Sequence, residues 1–199
     1  MPRASAAAAA QTARHVLDAA MELFASRGFF DVSLDDVAQA ADVTRGAVYH
    51  HYRNKAGLFA AVASRLQSDI AEAVVKAADQ AGQDPLDQLL AGSHAFLDAM
   101  TAGPAVRILL MDAPSVIGWD DWRRLDAENS AAHLRDALRS AGIADDLLDA
   151  ATAQLSGAMN EAALWTAQHD HTAHARQQSH AVLDRLLAAF CDSSPARHR

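Results

Sequence analysis

The sequence predicts an all-α fold of about nine helices, and three observations support this prediction. Alanine is very frequent and leucine comes next, so residues of high helix propensity dominate the 199 positions. Aromatic residues make up only 6% of the chain, prolines number five, and runs of β-branched residues are missing. Apolar residues recur every three or four positions, which is typical of helices that bury one face. The length allows one large domain, or a small domain fused to a larger one.

The composition also limits the classes of function. The lone cysteine, Cys191, excludes a disulfide framework within the chain and favours a reducing compartment, so the cytoplasm is the expected location. No window approaches the roughly 18 consecutive apolar residues of a membrane span. The alanine run at 6–10 lacks the leucine or valine of a signal core. We therefore expect a disordered arm over 1–11, and a tail over 193–199.

Charge is unevenly distributed along the chain. Residues 1–55 contain six basic and six acidic residues, so the whole net charge of −8 lies in residues 56–199. An acidic body repels phosphate, which argues against non-specific coating of nucleic acid by the larger part. Any contact with nucleic acid is therefore expected from the first quarter of the chain.

Four helices are predicted over residues 12–80. The first covers 12–27 and ends at Gly28, and the two phenylalanines that follow, Phe29 and Phe30, are expected to fill a small core. The second begins with a capping-box pattern of Ser33 and Asp36.

A third short helix follows the second after a tight turn. Thr44 is a good N-cap for it, and Asn54 caps the fourth, longer helix. Two short helices joined by a turn and resting on a longer one make a helix-turn-helix unit.

Three runs of sequence in this region carry a family resemblance. They read A-x-x-L-F-A-S-x-G-F at 20–29, S-L-D-D-V-A-x-A-A-x-V-T at 33–44, and R-G-A-V-Y-H-H-Y-R-N-K-A-G-L-F at 45–59. On these residues the segment from Thr12 to about Val62 resembles the tetracycline-repressor (TetR) family of transcriptional regulators. The rest of the chain resembles that family only in length, helicity and layout. The resemblance implies a DNA-binding domain at 12–55 and a ligand-binding and dimerisation domain at 56–192.

The residues from Thr44 to Lys55 include three fixed positive charges and no acid, which favours an anionic partner. Arg45 lies in the first turn of the third helix, where its guanidinium can bond O6 and N7 of guanine. Gly46 lets the backbone approach DNA closely. The resemblance implies base contacts from Arg45 and Gly46. Further candidates, for the phosphate backbone, are Ser33, Thr44, Tyr49, His50, His51 and Lys55.

Other residues nearby have plainer interpretations. Three are expected to pack inside the unit: Ala47, Val48 and Tyr52. His50 and Arg53 can equally be solvated surface residues. Asp42 stands where the family often has glycine, and aspartate tolerates a left-handed turn better than most residues. Asp35 and Asp36 put negative charge beside the expected phosphate contacts, so we expect operator binding that is moderate and sensitive to salt.

Beyond residue 80, helices are predicted over 85–100, 104–112, 120–140, 145–168 and 172–192, with a loop at 115–121. In the resembling family the last two helices form a four-helix bundle across a two-fold axis. The residues assigned to that interface are Leu155, Gly157, Met159, Leu183, Leu186, Leu187 and Phe190. The alternative is a core confined to one chain.

Aromatic and thioether residues collect on the predicted fifth to eighth helices, with polar residues among them. The resemblance implies a cavity for a small molecule between these helices. Candidate lining residues are His94, Phe96, Met100, Met111, Asp112, Trp119, Trp122, Asn160 and Trp165. The alternative for each is an ordinary position in the core.

Three histidines, His169, His171 and His174, raise the question of a metal site, because neutral imidazoles bind zinc, copper and nickel. Their spacing matches no standard site, and they fall in a predicted polar turn. We therefore expect neither a metal nor another cofactor.

Residues and resemblance together predict a homodimeric regulator, a repressor that binds a palindromic operator of double-stranded DNA and leaves it when a small-molecule effector binds. The alternatives are a metal-sensing repressor of the same fold, a helical enzyme that handles small molecules, and an adaptor without DNA binding. No nucleophile, base and orienting group stand at a recognisable spacing, so we do not expect an enzyme.

Overall fold

The protein is helical throughout the part of the chain that its structure describes. A computed structural model describes residues 2–169 and 172–192, so the predicted tail at 193–199 lies outside these ranges. Within them the chain forms ten α-helices, one π-helical segment and no strand, which confirms the all-α prediction. The helices are α1 (Pro2–Arg27), α2 (Leu34–Ala40), α3 (Arg45–Tyr52), α4 (Lys55–Gln80), α5 (Pro85–Thr101), α6 (Ala113–Val116), α7 (Trp119–Glu128), α8 (Ser130–Ser140), α9 (Asp145–Ala167) and α10 (Thr172–Asp192).

The first helix is longer than the sequence indicated. It begins at Pro2, so residues 2–11 of the arm predicted as disordered over 1–11 are helical, and Met1 lies outside the described residues. Alanine has the highest helix propensity of all residues, and the alanine run at 6–10 extends the helix beyond its packed part. Within that packed part Val16, Ala20 and Phe24 are fully buried, as the periodicity predicted.

Residues 104–140 depart furthest from the predicted elements. The helix predicted over 104–112 is largely a π-helical segment, Val106–Asp112, and the predicted loop at 115–121 contains the end of α6 and the start of α7. The helix predicted over 120–140 is divided at Asn129, whose φ of −121° and ψ of −102° lie outside the helical region. The side-chain amide of Asn129 donates to the carbonyl of Leu125 at 2.7 Å, which stabilises the break.

The chain divides into two compact units. The first comprises residues up to 66 together with 107–122, and the second comprises 67–106 and the residues from 123 onwards. The segment predicted as a DNA-binding domain, 12–55, therefore lies in the first unit. That unit also includes the first half of α4 and a stretch that the sequence had assigned to the larger domain.

Three phenylalanine rings form the centre of the first unit. The ring of Phe59 lies 5.3 Å from that of Phe24 and 5.2 Å from that of Phe29, with edge-to-face geometry in both pairs. Phe30 contacts only the edge of this cluster: its ring centre lies 5.4 Å from that of Phe29, and the residue is 75% exposed. Its predicted place in the core is wrong, since of the two neighbouring phenylalanines Phe29 is the one that packs against Phe59.

The segment 107–122 is attached to this unit by specific contacts. The backbone N–H of Phe29 donates to Oδ2 of Asp112 at 3.1 Å. Gly28 has a φ of +83°, and the guanidinium of Arg107 lies where a side chain at position 28 would extend. Glycine at this position therefore permits both the turn after α1 and the close approach of Arg107.

The second unit is built around α9. This helix packs against α5, α8 and α10, as expected for a helix that is apolar on several sides. Its residues Leu148 and Leu155 are buried, together with Leu97 of α5, Leu138 of α8 and Leu187 of α10.

The two neighbouring phenylalanines give a matched test of this packing. Phe24→Ala removes a fully buried ring and should lower the free energy of unfolding by about 3–5 kcal/mol. Phe30→Ala removes an exposed ring and should change it by less than about 0.5 kcal/mol. Chemical denaturation of the full chain measures both, and equal losses would contradict the described core.

Candidate nucleic-acid interface

The helix α3 depends on its caps and on its buried face. Its N-cap is Thr44, whose Oγ1 accepts from the backbone N–H of Ala47 at 3.2 Å. With only eight residues the helix is too short to be stable alone. Val48 is fully buried, and the hydroxyl of Tyr52 donates to the carbonyl of Ala13 in α1 at 2.7 Å. Burial, and to a lesser extent the charge of Asp18, raises the pKa of the Tyr52 phenol.

Fixing this inner face determines which residues face outward. Arg45, Gly46, Tyr49 and His50 are all exposed. Their spacing places Gly46 and His50 opposite Val48, and Arg45 and Tyr49 on the flank between that side and the buried face. Thr44 is exposed at the start of the helix, whereas His51 is half-buried. The predicted base-reading and phosphate-binding residues of α3 therefore share one surface, apart from His51.

Arg45 is held by two neighbours in the free protein. Its Nη1 donates to Oδ2 of Asp35 in α2 at 2.9 Å, and its guanidinium carbon lies 5.7 Å from the ring centre of Tyr49. The two side chains of the ion pair are 58% and 63% exposed. A pair so exposed contributes at most about 1 kcal/mol, so Arg45 can leave Asp35 at little cost.

Asp36 has a different role from Asp35, because it caps α2. Its Oδ2 accepts from the backbone N–H of Ser33 at 2.7 Å and from the Ser33 hydroxyl at 2.7 Å, while its own N–H donates to that hydroxyl. The hydrogen bonds from the hydroxyl and the N–H of Ser33 contribute most to lowering the pKa of the Asp36 carboxyl. The neighbouring Arg27 contributes least. The capping box predicted from sequence is confirmed. The hydroxyl of Ser33 is already engaged here, and its contact with phosphate stays a prediction.

Lys55 begins α4 at the edge of the same surface. Its Nζ donates to the carbonyl of Phe30 at 3.3 Å and lies 4.3 Å from the ring centre of Phe29. Asn54 caps the helix, since its Oδ1 accepts from the backbone N–H of Gly57 at 2.7 Å. The ammonium is thus held at Phe29 and Phe30, and its contact with phosphate stays a prediction.

Two residues near α3 have backbone conformations in the left-handed region. Asp42, with a φ of +53°, makes the turn between α2 and α3. This is the conformation for which the sequence suggested aspartate as a tolerable substitute for glycine. Arg53, with a φ of +65°, ends α3 and was not foreseen as such.

A cavity of about 250 Å³ lies in the second unit between α4, α5, α8 and α9. Of the residues predicted to line a ligand pocket, Phe96 lines it. The polar lining residue Ser156 donates its hydroxyl to Oδ2 of Asp126 at 3.2 Å. Asp126 is 5% exposed, and burial raises the pKa of its carboxyl, an effect that the bond from Ser156 and the charge of Arg123 oppose.

Comparison with known proteins bears on both units. A family model described as "Tetracyclin repressor-like, C-terminal domain" matches residues 86–190, more than half of the chain. A second, described as "Bacterial regulatory proteins, tetR family", matches residues 16–62, which include α2 and α3. The chain belongs to the TetR family.

Individual TetR-family relatives are similar over different lengths. The HTH-type transcriptional regulator AcrR of Shigella flexneri is 37% identical over 89 residues, or 45% of this chain and 41% of AcrR. The HTH-type transcriptional repressor BepR of Brucella suis is 34% identical over 84 residues, or 42% of this chain and 40% of BepR. The chain thus spans less than half of either relative. A TetR-family regulator of Pectobacterium atrosepticum matches in structure with a TM-score of 0.72 and 30% identity, over 92% of this chain and 96% of that one.

The other predicted ligand-binding residues of this TetR-family chain lie outside the lining of the 250 Å³ cavity. In the second unit, Met100 and Asn160 are buried and Trp165 stacks on His169, with ring centres 4.1 Å apart. Met111, Asp112, Trp119 and Trp122 belong to the first unit. There the indole N–H of Trp122 donates to the carbonyl of Leu109 at 2.7 Å. Their roles in binding a ligand stay predictions.

His94 forms part of a stacked histidine pair. Its ring lies parallel to that of His180 at 4.2 Å, and its Nε2 lies 2.6 Å from Oδ1 of Asp184. Burial contributes most to lowering the pKa of His180, and the neighbouring His94 adds to the effect. The pair joins α5 to α10 within the second unit.

The predicted dimerisation residues divide into two groups. Four are buried within the single chain: Leu155, Met159, Leu183 and Leu187. Gly157 and Leu186 are exposed and Phe190 is half-buried. The prediction omitted Val182, which is 56% exposed and lies one turn from Leu186 on α10. The helical periodicity of the sequence places Val182 on the exposed face of α10, and an apolar residue there could have been added to the predicted interface.

The histidine cluster is only partly described, because His171 lies outside the described residues. His169 and His174 are exposed. Among residues 2–169 and 172–192 no group of three or more His, Cys, Asp or Glu side chains is placed to hold a metal ion. In the same part of the chain, every helix is too short or too polar to cross a membrane.

The buried carboxyl of Asp126 predicts a pH-dependent stability. Its pKa is raised in the folded state, so its charged form costs stability at neutral pH, and that cost disappears as pH falls through the folded pKa towards the unfolded one. Asp126→Asn keeps an acceptor for Ser156 and should raise the melting temperature at pH 7, with a gain that shrinks in acid. Melting curves between pH 4 and 7 test this, with the exposed Glu161→Gln as control. A gain that stayed constant with pH would contradict the assignment.

Proposed function

We propose that this TetR-family regulator is a cytoplasmic repressor that binds a palindromic DNA operator as a homodimer and is released by a small-molecule effector. The observation that carries the proposal is the outward surface of α3, on which Arg45, Gly46 and Tyr49 stand together. A recognition helix in the major groove presents the residues of its N-terminal part to the base edges. Arg45 and Gly46 are the first two residues of α3.

Gly46 supports this role because the fold itself does not require it. A Cβ built at position 46 would meet no atom closer than Oγ1 of Thr44 at 3.8 Å, an ordinary contact. The backbone there is helical, where glycine costs about 0.5–1 kcal/mol relative to alanine. A glycine that lowers stability without relieving a clash inside the chain favours close approach of something from outside, and DNA fits that position.

The ion pair of Arg45 with Asp35 has to open before Arg45 can contact a base of the operator. In the complex Arg45 exchanges Asp35 for guanine, since the exposed pair is weak and the bidentate bond to O6 and N7 is strong. Asp35 then remains near the phosphates without its partner. Its repulsion of the phosphates offsets part of the free energy that the bond to guanine supplies, which keeps operator binding moderate.

Dimerisation would place two such surfaces on one operator. The exposed apolar residues Val182 and Leu186 make one turn of α10 suitable for a partner helix. On α9, a Cβ at Gly157 would meet no atom within 4 Å of its own chain, so another helix can approach closely there. A two-fold dimer would present two reading helices, and the half-sites of helix-turn-helix dimers are about 34–36 Å apart.

The 250 Å³ cavity is the proposed effector site. If the effector binds one conformation of the dimer better than the conformation that fits the operator, it weakens DNA binding by its differential affinity for the two. The two family matches support a regulatory role over a catalytic one.

Arg45 variants separate base reading from charge. Arg45→Lys keeps the positive charge but loses the two-pronged bond to guanine. It should weaken binding to the operator by about 1–3 kcal/mol while leaving binding to a scrambled duplex almost unchanged. Gel shifts on both duplexes measure this. Lys55→Ala is the contrasting variant, because loss of a phosphate contact should weaken both duplexes alike. Equal losses on the two duplexes for Arg45→Lys would contradict the base-reading role.

Gly46→Ala should separate stability from function. Alanine fits the chain and favours the helix, so the free energy of unfolding should stay the same or rise by up to about 1 kcal/mol. Operator affinity should nevertheless fall at least about tenfold, because the added methyl group occupies space between helix and DNA. Thermal melting and fluorescence anisotropy on the operator give the two quantities. Unchanged affinity would show that the backbone of α3 does not approach the DNA at this point.

A further inference from the structure

The cavity in the second unit has a buried floor and an exposed mouth. Side chains at the floor include Phe96, Leu134 and Met159, which are all at least nine-tenths buried. Asp79, His133 and Asp136 lie at the mouth and are exposed. The volume of about 250 Å³ exceeds the roughly 150 Å³ that holds a benzene ring, so a ring with a short substituent fits.

Four polar side chains of the wall donate hydrogen bonds to groups within the chain. Ser156 donates to Asp126 at 3.2 Å, Ser130 to Oε1 of Gln67 at 3.4 Å, and Ser140 to the carbonyl of Asp136 at 3.0 Å. The amide of Gln88 donates to the carbonyl of Gly82 at 2.7 Å. The oxygens of Ser156 and Ser130 keep free lone pairs, so they can accept a hydrogen bond from a ligand in the cavity.

The charged side chains at the cavity also disfavour an anionic ligand. Among its described lining residues there is neither lysine nor arginine, while Asp79 and Asp136 are acidic. Asp136 is paired with Arg139 at 2.9 Å, so Asp79 carries the less compensated charge. An anionic ligand would have to give up its hydration beside these carboxylates, with no lysine or arginine in the lining to compensate, which is costly.

We propose that this cavity binds a small, largely apolar molecule of about ten non-hydrogen atoms that carries a neutral or cationic hydrogen-bond donor, such as a hydroxyl or an ammonium group, and that it rejects carboxylates. The inference rests on the proposed function only in taking this molecule as the effector. The apolar part lies against Phe96 and Met159, and the donor group bonds the free oxygens of Ser156 or Ser130, or the carboxylate of Asp79.

Three matched probes test the proposed class on the full chain: 2-phenylethanol, 2-phenylethylammonium and phenylacetate. They share a ring and a short arm and differ in the terminal group. Isothermal titration calorimetry should show the alcohol and the ammonium binding at least about tenfold more tightly than phenylacetate, because a buried acceptor facing an acceptor costs about 1–3 kcal/mol. Phenylacetate binding as tightly as the other two, or no binding by any of the three, overturns the proposal.

Two adjacent alanines on α8 test whether the probes bind inside the cavity. Ala131 lines the cavity and Ala132 is exposed outside it. Ala131→Phe should weaken the binding of 2-phenylethanol by about tenfold or more, and Ala132→Phe should leave the affinity for this alcohol unchanged. If Ala131→Phe fails to give the helical circular dichroism of the wild type, Ser93→Leu fills the same cavity from α5. Unchanged affinity in a folded cavity-filling variant overturns the proposal.

Reversing the charge of Asp79 at the mouth of the cavity tests the electrostatic part of the proposal. Asp79→Lys should narrow the preference for ammonium over carboxylate severalfold, and an unchanged preference contradicts the role of Asp79. Operator release is measured separately by adding the alcohol to the DNA complex. If the alcohol binds the cavity without affecting DNA binding, the ligand class stands and the effector part of the proposed function fails. If the operator is bound but no probe is, the ligand class fails alone.

Discussion

The burial of one face of α3 is the constraint on which the candidate interface depends. An eight-residue helix has too few internal hydrogen bonds to hold itself together in water. Val48 inside the unit and the bond from Tyr52 to the backbone of α1 therefore fix both its existence and its rotation. Once that rotation is fixed, Arg45, Gly46 and Tyr49 have to face outward.

Two adjacent acids in α2 illustrate how environment separates identical side chains. Asp36 belongs to the helix it caps, and its hydrogen bonds with Ser33 lower its pKa. Asp35 points instead to Arg45 and holds the guanidinium next to the ring of Tyr49. One acid therefore stabilises the scaffold, and the other lies beside the residue proposed to read bases. From sequence alone Asp36 was predicted to cap α2 with Ser33, but the pairing of Asp35 with Arg45 was not foreseen, and both acids counted as negative charge close to phosphate.

The parts of the fold that depend on local interactions could be predicted from the sequence. Capping at Ser33 and Thr44, the buried stripe of α1 and the left-handed turn at Asp42 all follow from neighbours within a few residues. Periodicity indicates which face of a helix is buried, but not which helix covers it. It therefore could not show that 107–122 would join the first unit, or that Leu155 and Leu187 would be buried within one chain.

The candidate cavity was the least predictable site for the same reason. Its lining combines residues from four helices, and residue type alone drew attention to large aromatics such as Trp119 and Trp122, which lie in the first unit. The small residues that shape the cavity, Gly92, Ser93 and Ser156, carried no signal of their own. Their significance comes from the space beside them and, for Ser156, from the direction of its hydrogen bond.

In the proposed two-fold dimer, the outward face of α3 reads the same half-site sequence twice, once from each subunit. Selection of genomic fragments by the purified full chain tests it most directly. The account predicts that the retained fragments share a palindrome whose half-sites are centred about 10 base pairs, or one turn of DNA, apart. Retention of fragments without a common sequence, or of a single unrepeated site, would contradict it.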